Sequence, residues 1–130
     1  MTVATPDWEV DWLALVGRDT EFQLISRWTR VSLRLIGAGF DRTYHIERSA
    51  IGVAQGQESP MVTLTGSADA WAAFLSATPQ PPNHHILAMQ RRRADFSVDG
   101  RHALLQHLRV LNRVLELLRM VAAGREDVVV

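Results

Sequence analysis

The C-terminal stretch constrains this chain more than any other feature. From Arg101 to about Ala123 the apolar residues fall into two stripes at helical spacing. Leu104, Leu108, Leu111, Leu115 and Leu118 form one; Val110, Val114, Leu117 and Val121 form the other. At about 100° per residue the stripes lie side by side and together span close to half the circumference. A helix resting on a sheet needs an apolar face of only about 100°. Something must cover the surplus: more core, a second subunit, or an apolar ligand held in a cavity. Gly124 reads as the helix stop.

Upstream, the period changes from helix to strand and back. Thr5 suits a helix cap, Pro6 the first helical position, and Asp7 and Glu9 oppose the helix dipole. Trp8, Trp12 and Leu15 continue that helix to a stop at Gly17, and Asp19-Thr20 cap a short turn through Phe22, Leu24 and Ile25. From Trp28, Arg30, Ser32 and Arg34 alternate with Val31, Leu33 and Leu35, which predicts a half-buried strand. Gly37-Ala38-Gly39 turns it into a second strand over 43–47; a third is expected over 51–55 and a fourth over 61–65. Ser67 caps a helix whose face is Ala68, Trp71, Ala72 and Leu75. A stiff connector from Thr78 to Pro82 follows, then a short helix capped by Asn83 and closed by Arg91-Arg92-Arg93. Asp95 to Asp99 alternates as a fifth strand before Gly100 turns into the long helix. The expected class is α+β, with a five-stranded, largely antiparallel sheet covered on one face by helices and an apolar cavity between the layers.

At 130 residues and 47% apolar content the chain is read as one domain, with a helical segment over 1–21 and a core over 22–123. Fourteen basic and fourteen acidic residues cancel, which argues against the broad basic field that nucleic-acid binding needs. All the basic residues are arginine, and cysteine is absent, so disulfides, thiolate nucleophiles and sulfur-ligated metals are excluded. The start carries no basic and apolar signal segment, and no apolar run reaches the roughly 18 residues of a membrane span. A cytoplasmic protein is the expectation.

Catalytic patterns are missing. His84 and His85 are consecutive and point about 100° apart on a helix, and His102 and His107 are about 140° apart, so neither pair can share a metal. No nucleophile elbow surrounds Gly66-Ser67, and the glycines at 37, 39, 52 and 56 lead into no helix that could cradle a phosphate. Asp95 and Asp99 share the polar side of a predicted strand, where a solvated face is the plain reading. The arginine run at 91–93 complements a helix C-terminus or contacts an anion. No catalytic residue, metal site or cofactor is expected.

Three stretches resemble the sterol carrier protein 2 family in its small bacterial form. Ser67-Ala68-Asp69-Ala70-Trp71-Ala72-Ala73-Phe74-Leu75 is similar to its acid-capped helix with a central Trp. Pro81-Pro82-Asn83-His84-His85-Ile86-Leu87 resembles its Pro-rich turn into a short helix, and Phe96-Ser97-Val98-Asp99-Gly100 its last strand and glycine turn. Glu47-Arg48-Ser49-Ala50 departs from it, standing where the family usually has an Asp-Gly turn. Arg101 stands for an acidic residue and Ala94 for a glycine. The resemblance implies a non-catalytic carrier whose apolar tunnel holds a sterol, fatty acyl chain or other lipid. With the two-stripe helix, it makes Trp71, Phe74, Leu75, Leu87, Met89, Phe96, Leu104, Leu108, Leu111 and Leu115 the candidate ligand contacts. Two other readings stay open: a homodimeric interaction protein that uses the surplus helix face, and a small enzyme pairing His85 or His45 with Asp95 or Glu47.

Overall fold

Alternation of polar and apolar residues builds the sheet. A computed structural model describes residues 5–54, 61–76, 79–80, 83 and 85–128, with backbone alone from 125. Five strands, β1 (Arg30–Gly37), β2 (Phe40–Glu47), β3 (Ala50–Val53), β4 (Met61–Gly66) and β5 (Phe96–Asp99), form one sheet in the order β3-β2-β1-β4-β5. Three pairings are antiparallel, while β1 and β4 run parallel, so the sheet is mixed but mostly antiparallel. Period-two geometry places Val31, Leu33, Leu35, Tyr44, Ile46, Val62, Leu64, Phe96 and Val98 on one face, where all are buried. Arg34, Thr43, His45, Thr63 and Ser97 occupy the other.

Helices cover the apolar face: α1 (Glu9–Arg18), α2 (Thr20–Ile25), α3 (Ala68–Phe74), α4 (Ile86–Arg92), α5 (Arg101–Gln106) and α6 (Leu108–Val128). Several ends differ from expectation. The first helix starts after Trp8, not at Pro6, whose carbonyl instead accepts from the Glu9 N–H in a preceding turn. Gly17 lies inside it; the break comes at Asp19, whose carboxylate caps α2 by accepting from the Phe22 N–H at 2.8 Å. Ser67 caps α3 as expected. The cap of α4 is His85 rather than Asn83, whose side-chain oxygen accepts from Arg93. Asp95 stands in the turn before β5 rather than on the strand. The long helix is two helices, because His107 leaves helical geometry at φ −115° and ψ 24°. Gly124 does not end α6; it sits in open space, where a helical glycine costs only about 1 kcal/mol. Gln55, Gly56, Ser59, Pro60, Thr78, Pro81, Pro82 and His84 lie outside the described residues.

The surplus face of the last helix is covered from within. Val110, Val114 and Leu117 are buried, with α1 and α2 lying against α6. Trp12, fully buried, donates its indole N–H to the Val114 carbonyl at 2.8 Å and sets its ring edge-on to Tyr44 at 4.8 Å. Trp12 and Val16 of α1 are thus part of the core.

Candidate functional site

The ten candidate ligand contacts lie in or against the one hydrophobic core, and two of them, Phe74 and Leu115, line a recess. Trp71, Phe74, Met89, Phe96, Leu104, Leu111 and Leu115 are buried in one cluster, and Leu75, Leu87 and Leu108 pack against it. Trp71 organises the aromatic part. Its indole N–H donates to the Ile36 carbonyl at 2.9 Å, and its ring lies 5.7 Å from Phe96 and 6.1 Å from both Phe74 and Phe40. Where α3, α4 and α6 meet, the cluster opens into a recess of about 100 Å³, lined by Phe74, His85, Ile86, Asn112, Leu115, Glu116 and Arg119.

The recess has an apolar floor and a polar rim. Phe74, Ile86 and Leu115 are the floor. On the rim, Arg119 donates from Nε to the Phe74 carbonyl at 2.7 Å and lays its guanidinium 4.5 Å from the centre of the Phe74 ring, which latches α6 to the end of α3. Burial pulls the Arg119 pKa down, yet a guanidinium keeps its charge. His85 accepts the Leu87 N–H at Nδ1, so in the neutral ring its proton sits on Nε2. The Asn112 amide lies 3.3 Å from that nitrogen; presenting its oxygen there satisfies the pair and turns its NH₂ away. Glu116 is half-exposed and accepts from Arg113, which also binds Asp19 and Glu21 at 2.8 Å each. Asn112, Glu116 and Arg119 were not anticipated. They run at i, i+4, i+7 beside Leu111, Leu115 and Leu118, a spacing that reads as a solvated stripe until a neighbouring helix covers it.

Of the suggested acid–base pairs, His45 and Glu47 do meet, Nε2 to Oε2 at 3.2 Å, with Ser32 Oγ 3.1 Å from His45 Nδ1. Ser32 is fully buried, so its hydroxyl is closed to a substrate. Asp95 is held by Arg93 and Ser67, which keep its carboxyl far below the usual range. Among the described residues no three His, Asp or Glu converge as a metal site. No described helix is long and apolar enough to cross a membrane.

A mixed five-stranded sheet, closed on one face by helices with a long one at the C-terminus, defines a sterol-carrier-protein-2-like α+β fold. Solved structures bear this out. The chain is similar to TT1886 of Thermus thermophilus, a conserved hypothetical protein and suggested sterol carrier protein, with a TM-score of 0.60, 14% identity, and 95% and 92% of the two chains covered. It is similar to UbiJ-SCP2, a ubiquinone synthesis protein, with a TM-score of 0.54, 14% identity, and 91% and 96% covered. The sterol carrier protein domain 2 of Helicoverpa armigera aligns with a TM-score of 0.51, 15% identity, and 95% and 96% covered. No family profile matches the sequence, and no curated protein does. The likeness is one of fold.

Proposed function

We propose that this chain is a non-catalytic lipid-binding domain. Its ligand is a sterol, fatty acyl chain or similar apolar molecule that enters where α3, α4 and α6 meet, against Phe74, Ile86 and Leu115, and reaches the other predicted contacts only as the helices part. The observation that carries this reading is the recess itself, whose apolar floor and polar rim match a molecule with a greasy body and a polar end. At about 100 Å³ the recess holds an end group and a few chain atoms, so a full chain requires α3 and α4 to part from α6. The Arg119 latch on Phe74 is the contact that must give. A fluorescent fatty acid or sterol analogue is expected to bind in the micromolar range, about −8 kcal/mol. Leu115→Trp fills the recess while keeping it apolar and should weaken binding about tenfold or more. A folded variant with unchanged affinity places the site elsewhere, and a wild type that binds neither probe refutes the lipid-binding reading.

A further inference from the structure

The end of the molecule formed by the α2–β1 turn and the β2–β3 turn carries a feature that the recess does not explain. Trp28 is 89% exposed, the most exposed large apolar side chain among the described residues, and Leu24 at the end of α2 is 68% exposed. An uncovered indole beside an uncovered leucine is expensive in water. Arginines stand in the same two turns. The Arg27 guanidinium lies 5.9 Å from the centre of the Trp28 ring, Arg30 follows at the start of β1, and Arg48 stands on the neighbouring turn; all three are exposed.

The two turns are bound into one platform. The Arg48 N–H donates to the Thr29 carbonyl at 3.1 Å and the Ser49 N–H to the Ser26 carbonyl at 3.2 Å, while Ser49 Oγ donates to the Gln23 carbonyl at 2.6 Å. Arg48 and Ser49 both hold positive φ, 47° and 67°, a conformation that asparagine or glycine would adopt with less strain. The Arg48 bond to Thr29 sets this turn next to the residue that follows Trp28. The acids nearby offset only part of that charge: Glu21 shares Arg113 with Asp19 and Glu116, and Glu47 lies across from Arg30 in the sheet, so the three arginines outnumber the two carboxylates by one.

We propose that this platform docks on an anionic lipid surface, with Trp28 and Leu24 entering the headgroup layer and Arg27, Arg30 and Arg48 meeting phosphates. Indole rings favour the membrane–water interface, and clustered arginines supply the complementary charge. The docking stands apart from the cargo reading, because nothing in it requires a filled recess.

The test is sedimentation of ligand-free protein with vesicles of phosphatidylglycerol and phosphatidylcholine. Wild type should co-sediment at low salt, release as salt rises, and ignore vesicles of phosphatidylcholine alone. Brominated acyl chains should quench a tryptophan signal that Trp28→Ala removes, since Trp12 and Trp71 are buried and Trp8 is only partly exposed. Trp28→Ala and Leu24→Glu should each bind about tenfold more weakly. Arg48→Asn should bind about fivefold more weakly while melting no lower than wild type, because asparagine suits that turn. The proposal fails if wild type does not bind anionic vesicles, as a protein-docking face would behave, or if folded Trp28→Ala binds them as wild type does.

Discussion

Glu9 sits in the first turn of α1, where the sequence suggests only an acid opposing the helix dipole, yet it is 5% exposed. Burial alone would raise its pKa. Two hydrogen bonds from Arg42, at 2.8 and 2.9 Å, and one from the Tyr44 hydroxyl at 2.6 Å outweigh that and hold the carboxyl below its ordinary value. The same contact, with burial, drives the Tyr44 phenol well above its usual range. Glu9→Gln keeps the shape but leaves Arg42 without its counter-charge, and should cost about 2–3 kcal/mol, less than a fully buried pair because Arg42 is partly solvated. Trp71 offers a second test. Trp71→Ala should lower stability by about 3–5 kcal/mol in urea melts, whereas Trp71→Phe, which mainly strands the Ile36 carbonyl, should cost about 1–3 kcal/mol. A Trp71→Ala protein that melts with wild type would contradict the buried packing.

At the scale of elements, strands were more legible than helix ends. The alternation of apolar with polar residues through Val31–Leu35 and Phe96–Val98 announces strands; in β5 the polar face is wet, while in β1 Ser32 is buried as well. The parallel pairing of β1 with β4 was not readable, since it depends on how the chain returns between them and leaves no mark on either strand's own pattern. The apolar stripes of the last helix are legible in the sequence, and of the three covers open to their surplus width, more core, a second subunit or a ligand, the structure shows the first. The cover is Trp12 and its helix, a contact made across 102 residues that no local window contains. The polar rim was missed for the same reason: Asn112 and Arg119 gain meaning only from His85 and Phe74 on other helices. One junction between elements was read correctly, the turn at Gly100. It has φ 81° and ψ 40°, and a Cβ there would collide with the Met61 carbonyl. Gly100→Ala should therefore destabilise by on the order of 3 kcal/mol, far more than a surface glycine such as Gly124. Equal melting of the two alanine variants would refute this.

Across the whole molecule, charge ties the two ends of the chain together. Glu9, Asp19 and Asp41 all have carboxyls held below their ordinary values: Glu9 by bonds that overcome burial, Asp19 chiefly by Arg113, Asp41 chiefly by Arg34. A carboxyl that is more acidic when folded contributes stability in full above its unfolded value and loses it as pH falls through the folded one. The urea midpoint should thus stay level from neutrality to about pH 5 and fall below about pH 4. Asp19→Asn should flatten that fall, and an unchanged acid limb in the variant would count against the Arg113 tie. That tie and the Trp12 bond to Val114 join residues 94 and 102 positions apart. On a ribosome that adds about 5–20 residues each second, Trp12 is therefore made roughly 5–20 s before the backbone it binds. For that interval α1 has its apolar face bare, because the stretch of α6 that covers it is still to be made.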